Sequence, residues 1–128
     1  MTAASQRQCC TSGWLGDPVR VTIVSRIWDP EPAAASQLLA AIASTLVERG
    51  HDVLVLTATP PPGLTVGDDA GALVKRARVL RNRDGYVRGY LQYLSFDIPV
   101  GFRLLSSRRA DVILVEPPPT TGAVVRVA

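Results

Sequence analysis

Two short apolar runs, separated by one helix-length segment, are the feature that most constrains this chain. Residues 19–25 read Val-Arg-Val-Thr-Ile-Val-Ser, and residues 52–58 read Asp-Val-Leu-Val-Leu-Thr-Ala. Runs of this length and composition are typical of parallel strands that are buried on both faces. Between them, residues 33–49 carry apolar side chains at the spacing of one helical face. The pattern predicts a strand–helix–strand unit with a right-handed crossover.

The helix of this unit has recognisable ends. Pro32 fits the first helical turn, where its missing N–H would have no partner. Gly50 fits just past the end, where a left-handed backbone closes a helix. The predicted inward face comprises Leu38, Leu39, Ile42, Ala43, Leu46 and Val47.

Further strands and helices follow in the same alternation. Residues 73–80 predict a third strand, residues 111–115 a fourth, and residues 120–128 a helix that has only begun. We therefore expect an α/β fold. It has a Rossmann-like parallel sheet of about four strands, with helices on both faces, and is incomplete at the C-terminus.

The segment between the third and fourth strands has a helical pattern with one interruption. It runs over residues 86–109, and Pro99 lies within it. Because a proline ring clashes with the carbonyl four residues earlier, we expect a kink or two short helices, with Asp97 capping the second. The apolar side chains expected to share one side are Tyr86, Tyr90, Leu91 and Leu94, followed by Phe102 and Leu105.

Length and composition indicate one folded domain. The chain has 128 residues, of which 47% are hydrophobic and 20% charged, so a real core can form. Residues 1–18 are polar and without periodicity, and we expect them to form a disordered leader before a domain over residues 19–128. No run approaches the length of a membrane-spanning helix.

The net charge of +3 is unevenly distributed along the chain. Between Lys75 and Arg109 there are nine basic residues against two acidic ones. A basic stretch of this kind suits phosphate-bearing ligands or an anionic membrane surface. Such a stretch is more often a solvated, arginine-rich face, and we expect no nucleic-acid partner.

Cysteine usage favours a reducing, cytosolic compartment. Cys9 and Cys10 are the only cysteines. They are adjacent in the expected leader, so they neither cross-link the domain nor fit a zinc-binding spacing. We expect no metal site.

Ligands of an open parallel sheet bind beyond the carboxyl ends of its strands, which directs attention to two loops. The loop after the first strand, residues 26–34, contains no glycine, which argues against a nicotinamide or flavin fingerprint. We therefore expect no bound cofactor. The second loop, residues 116–121, follows the fourth strand. The predicted substrate-binding residues are Asp29, Pro30, Glu31, Pro32, Ala33, Ala34, Glu116, Pro117, Pro118 and Thr120.

Each of these candidates also has a structural interpretation. Ala33 and Ala34 expose backbone N–H groups that can face an anion, but alanines are also good helix formers. Glu31 can act as a general base or accept a hydroxyl hydrogen bond, or it can be a favourable charge near a helix start. Glu116 ends a buried strand at the same rim, and it can bind a ligand or serve as a capping or surface acid.

Four segments in the expected order carry a resemblance to a known family. They are residues 28–35, Trp-Asp-Pro-Glu-Pro-Ala-Ala-Ala; residues 46–57, Leu-Val-Glu-Arg-Gly-His-Asp-Val-Leu-Val-Leu-Thr; residues 93–96, Tyr-Leu-Ser-Phe; and residues 110–119, Ala-Asp-Val-Ile-Leu-Val-Glu-Pro-Pro-Pro. Together they resemble the N-terminal domain of family-4 glycosyltransferases, in the branch similar to bacterial amino-sugar transferases of cell-surface polysaccharide.

The resemblance implies a two-domain enzyme of GT-B architecture. Such enzymes transfer a sugar, with retention, from a nucleotide sugar to a hydroxyl of a glycan or lipid-linked glycan, and they need no metal ligated by the protein. The N-terminal domain supplies the acceptor side of the cleft. The family's donor motif, two glutamates separated by seven residues with a nearby basic pair, has no match in this sequence. We therefore expect an inactive partial domain, in the cytoplasm or at the inner face of the membrane.

Two other classes of function are compatible with the same pattern. One is a non-catalytic, flavodoxin-like binding or interaction module. The other is a signalling receiver domain, which needs clustered acids after the first strand. Here Pro30 separates Asp29 from Glu31, and Lys75 is the only lysine, which argues against a receiver.

Overall fold

The computed structural model describes residues 16–67, 69, 71–81, 83, 89–116 and 119–127, without the side chains of Pro119 and Thr120. Residues 1–15 of the expected leader lie outside the described part, as do residues 86–88 at the predicted start of the interrupted helix.

The predicted α/β class is confirmed. In chain order the elements are β1 Arg20–Val24, α1 Ala34–Glu48, β2 Asp52–Ala58, β3 Leu73–Ala77, α2 Tyr90–Ser106, β4 Val112–Val115 and α3 Pro119–Val127. The strands form one parallel sheet in the order β3-β2-β1-β4. This is a Rossmann-like arrangement in which the first strand lies inside the sheet and the fourth lies at its edge.

The sheet is covered on both faces because its strands are apolar on both sides. On one face, Ile23 and Val55 pack against Leu39 and Ala43 of α1. On the other face, Val24 and Leu56 form a second core cluster with residues of α2. Helix α3 lies on this second side, against α2 and β4.

Helix α1 begins and ends through its backbone. Its N-cap is Ala33, which has no side-chain capping bond, so Pro32 precedes the cap and does not occupy the first turn as predicted. At the other end the prediction for Gly50 is confirmed, because its φ is +85° and its N–H donates to the carbonyl of Val47 over 2.9 Å. Leu38, predicted to face inward, is 62% exposed.

Strand β3 is shorter than predicted. It ends at Ala77, whose register partner Ala58 is also the last residue of β2. The last backbone bond between the two segments runs from the N–H of Thr59, just past β2, to the carbonyl of Ala77 over 2.8 Å. The N–H of Leu80 donates instead to the hydroxyl of Ser95 in α2, over 3.0 Å.

Helix α2 contradicts two expectations about Pro99. The helix continues from Tyr90 to Ser106 with the proline inside it, and Asp97 is a buried residue within the helix rather than a cap. Phe96 and Val100, on either side of the proline, are buried in the α2-side core. Burial of these side chains outweighs the lost backbone hydrogen bond, as tertiary packing commonly does.

The side of α2 that the sequence pattern emphasises is exposed. Its members within the described helix are Tyr90, Leu91, Leu94, Phe102 and Leu105. The row that contacts the sheet is instead Phe96 and Val100, with Leu104 packed beside them. Helix α2 therefore carries two apolar rows, and the one that the sequence pattern emphasises points away from the sheet.

Candidate functional site

The topological switch point of the sheet lies between the neighbouring strands β1 and β4, because the helices that follow them cover opposite faces. After β1 the chain enters α1 on one face, and after β4 it enters α3 on the other. In open α/β sheets, the loops diverging at such a point leave a crevice at the carboxyl ends of the strands. The two loops selected from the sequence therefore meet at the same rim.

A serine–carboxylate pair joins these two loops. The hydroxyl of Ser25, directly after β1, is hydrogen-bonded to Oε2 of Glu116, directly after β4. The N–H of Glu116 donates to the carbonyl of Val24 over 2.9 Å, and the N–H of Ile27 donates to Oγ of Ser25 over 3.2 Å. Ser25 is buried and Glu116 is half-buried. A carboxylate has about four acceptor positions, so Glu116 retains capacity for a ligand hydroxyl.

A second polar cluster joins the loops after β1, β2 and β3. The guanidinium of Arg81 lies 3.2 Å from Oε1 of Glu31, and the two side chains are 14% and 15% exposed. The same guanidinium nitrogen donates to the carbonyl oxygen of Thr59. Glu31 is thus held by an ion pair at the rim.

The segment between Ser25 and α1 is fixed by its own contacts. Trp28 is buried in the α1-side core, and its carbonyl accepts the N–H of Glu31 over 2.9 Å, across the cis peptide between Asp29 and Pro30. The buried hydroxyl of Ser36 lies 2.6 Å from the carbonyl oxygen of Glu31. This loop is therefore an ordered wall of the crevice.

The predicted site residues divide into three groups. Glu116 and Glu31 lie in the polar clusters just described. Asp29, Pro32 and Ala34 are exposed, while Pro30 and Ala33 are half-buried. Pro117, Pro118 and the side chain of Thr120 lie outside the described residues.

Three contributors to this rim were missed at the level of sequence. Ser25 was assigned to the end of a strand, although a polar residue at the carboxyl end of a buried strand is a recognisable signal. Arg81 was counted only as part of a basic stretch. Arg26, also overlooked, stacks on the ring of Tyr93 in α2, with its guanidinium carbon 4.5 Å from the ring centroid.

The described residues contain neither a candidate metal-binding cluster nor a candidate membrane-spanning helix. No cluster of three or more His, Cys, Asp or Glu side chains suitable for a metal ion occurs in the part of the chain that the structure describes. Among the same residues, no helix has the length and apolar character needed to cross a membrane.

No family model matches the sequence, and no curated protein matches it at a significant level. The Rossmann-like α/β fold is therefore the level at which the chain is classified.

Proposed function

We propose that this chain is the acceptor-side portion of a retaining glycosyltransferase, which uses a nucleotide sugar to glycosylate a hydroxyl of a glycan or lipid-linked glycan. The observation that carries the proposal is the Glu116 carboxylate, held by Ser25 where β1 and β4 diverge. Further support comes from the four resembling sequence segments, which include both loops of this rim.

The role of Glu116 in this proposal is to bind and orient the acceptor hydroxyl. A carboxylate that accepts the O–H hydrogen bond fixes the direction of the oxygen lone pairs, and such positioning lowers the barrier to transfer. The bond from Ser25 restricts the rotamers of Glu116, so the acceptor meets a preorganised partner.

The start of α1 provides a complementary feature for the phosphate-bearing side of the reaction. Its N-terminus has no side-chain cap. Unpaired N–H groups and the helix dipole at such a terminus favour a negative charge. In the two-domain transferases that the sequence resembles, the nucleotide sugar is held mainly by the second domain. The role left to this chain is therefore acceptor binding.

A binding experiment tests the proposal directly. Saturation-transfer NMR with a panel of oligosaccharides measures acceptor binding to the chain and to the Glu116→Gln variant. Loss of a charge-assisted hydrogen bond predicts affinity lower by roughly tenfold or more. Glu48→Gln, an exposed carboxylate at the end of α1, is the matched control and should bind like the parent. Glycan binding that is unchanged in Glu116→Gln would refute the assignment of this site.

The second candidate function is a non-catalytic binding or interaction module. The specific observation in its favour is the exposed apolar row of α2, since a large solvent-facing apolar surface commonly marks an interaction site. A chain that binds no glycan, yet uses this row to bind another molecule, would favour the module over the transferase.

A further inference from the structure

Helix α2 leaves the amino ends of the strands uncovered on its side of the sheet. Its side chains pack over Val24 and Leu56, which lie in the carboxyl halves of β1 and β2. The helix ends at Ser106, and beside its end a cavity of about 300 Å³ opens over the amino halves of β1, β2 and β3. The pair of Ser25 and Glu116 lies at the opposite, carboxyl ends of the strands, so this cavity is separate from the candidate site.

The charged side chains around the cavity are predominantly cationic. Arg20 begins β1, Lys75 lies in β3 and Arg108 follows α2. Asp52 is the only carboxylate among the described residues of the lining, so three cations and one anion leave a surplus of two positive charges. Asp111, which accepts the backbone N–H of Arg20, does not line the cavity. The three cations are exposed and form no ion pair within the described part of the chain, so their charges are available to a ligand.

A nearly buried hydroxyl on the floor of the cavity lacks a partner. Thr22 is 4% exposed, and it lines this cavity together with an adjoining one of about 270 Å³. Its hydroxyl forms no hydrogen bond with the residues that the structure describes. The hydroxyls of Ser106 and Ser107 differ, because each donates to a carbonyl in the last turn of α2. Thr22 therefore supplies the hydroxyl donor that a ligand can use.

The Thr22 hydroxyl is accessible. Within the described residues, the fully buried side-chain nitrogen and oxygen atoms that lack a partner belong to Thr57, Arg76 and Asp97. The Thr22 oxygen also lacks a partner but is not one of these buried atoms, so it retains accessible surface, and the cavity is the space beside it. Small-molecule sites need a few polar groups that converge in a cavity of about 300–1,000 Å³, and this cavity provides them.

We propose that this cavity binds a phosphomonoester, with its phosphate among the three cations and one phosphate oxygen accepting the hydrogen bond of Thr22. A phosphomonoester carries about 1.5–2 negative charges at pH 7, which matches the surplus around the cavity. The carbonyl end of α2 opposes the anion with only about half a negative charge. The site is independent of the proposed acceptor crevice. It gives a role to part of the basic stretch between Lys75 and Arg109, and Arg20 completes it from outside that stretch.

Glycerol 3-phosphate and glycerol are matched probes, because they differ only in the phosphate. Titrations followed by the amide shifts of Thr22 and Ser107 report binding at the cavity, and the amide shift of Ser25 reports the opposite end of the sheet. We expect saturable binding of the ester, at least about tenfold tighter than that of glycerol, because charge-assisted hydrogen bonds are the strong ones. The affinity should fall as sodium chloride is added, since the cations are exposed.

A lipid arm distinguishes the two sources of such a phosphate. Phosphatidylcholine vesicles with and without phosphatidic acid present the same monoester on a membrane surface. Binding of the soluble ester assigns the site to a soluble ligand. Sedimentation that requires phosphatidic acid and is reduced by Lys75→Gln, without binding of the soluble ester, assigns it to a lipid head group.

Two substitutions test the assignment to the cavity. Thr22→Val keeps the shape of the side chain and removes a hydroxyl without a partner in the described residues, so it should weaken binding about tenfold without lowering the unfolding temperature. Lys75→Gln removes one exposed charge and should weaken binding about two- to fivefold. Arg49→Gln, at an exposed arginine after α1, is the control and should bind like the parent.

Four results would overturn the proposal. They are the absence of binding of both the soluble ester and the phosphatidic acid vesicles, equal affinity for glycerol and its phosphate, binding that Thr22→Val leaves unchanged, and equal weakening by Arg49→Gln and Lys75→Gln. The last result would show that the charge of the whole surface, rather than the cavity, attracts the anion. Because Lys75 is exposed, its variant keeps the test valid even if Thr22→Val fails to fold.

Discussion

The hydroxyl of Thr121 in α3 donates a hydrogen bond to Oδ1 of Asp97 in α2 over 2.6 Å, and both residues are 1% exposed. Thr121→Val keeps the shape of the side chain but removes the donor. We expect it to lower the free energy of unfolding by about 1–3 kcal/mol, because the buried carboxyl group then loses the one hydrogen bond that the described residues give it. Urea denaturation measures the change.

The matched control for this prediction is Thr45→Val. The hydroxyl of Thr45 is exposed and bonds only within α1, to the carbonyl of Ala41. Equal effects of the two substitutions would show that the contact between Thr121 and Asp97 contributes nothing specific.

The ion pair between Glu31 and Arg81 predicts a measurable coupling energy. Both side chains are largely shielded from water, so a double-mutant cycle with Glu31→Gln and Arg81→Gln should give about 1 kcal/mol, the upper end for such pairs near a surface. Because salt screens partly buried charges only weakly, most of the coupling should persist in concentrated sodium chloride. Additive single substitutions would show that the pair does not stabilise the rim.

Alanine should have opposite effects on stability at two glycines, Gly50 and Gly122. The φ of Gly50 is +85°, in the left-handed region, so Gly50→Ala should lower the free energy of unfolding by about 1–2 kcal/mol. Gly122 lies inside α3 and has open space around the position of a Cβ atom. Gly122→Ala should therefore raise the free energy of unfolding by roughly 0.5–1 kcal/mol. Thermal and urea unfolding of both variants provide the comparison, and changes of the same sign would contradict it.

Strand β4 predicts a tendency to self-association. It lies at the edge of the described sheet, with Val112 53% and Leu114 37% exposed, and a regular apolar edge readily pairs with another chain. Leu114→Lys should reduce concentration-dependent light scattering with little change in unfolding temperature. Leu38→Lys, on the exposed side of α1, is the control. If Leu38→Lys suppresses scattering equally, general charge rather than the strand edge is responsible.

An anionic membrane contact is a further proposal, motivated by exposed Arg108 and Arg109 beyond the C-terminal end of α2 and by the exposed apolar row of that helix. Each arginine near an anionic surface contributes about 1 kcal/mol. The variant carrying Arg108→Gln and Arg109→Gln should therefore lose most sedimentation with anionic vesicles. Arg49→Gln, a substitution just after α1, is the control and should sediment with anionic vesicles like the parent. Equal binding of the parent to neutral and anionic vesicles would show that charge does not drive the membrane contact.

The sequence predicted the sheet more successfully than the second helix. β2 and the end of α1 were correct because buried β-branched runs and a glycine at a helix end are local signals. The side of α2 that meets the sheet was not predicted, because both sides are apolar and periodicity alone does not say which one is buried. Only tertiary packing distinguishes Phe96 and Val100 from Leu94 and Phe102.

The candidate site was predicted only in part from the sequence. Glu116 and Glu31 were selected because carboxyl ends of parallel strands meet at one edge. Their partners were not, since Ser25 is 91 residues from Glu116 and Arg81 is 50 residues from Glu31. Such pairings follow from strand order and register, which one sequence does not specify.

The central position of β1 also sets the order in which this fold can be completed during synthesis. β1 leaves the ribosome first, yet one of its two neighbours is β4, with Val21 aligned on Val112. Until β4 has emerged, the inner strand of the finished sheet is an edge strand. Contacts of such large sequence separation slow folding, and an unpaired apolar strand is exposed to other chains meanwhile. The nascent chain is therefore most vulnerable to aggregation between the emergence of β2 and that of β4, the interval in which chaperone binding would have its greatest effect.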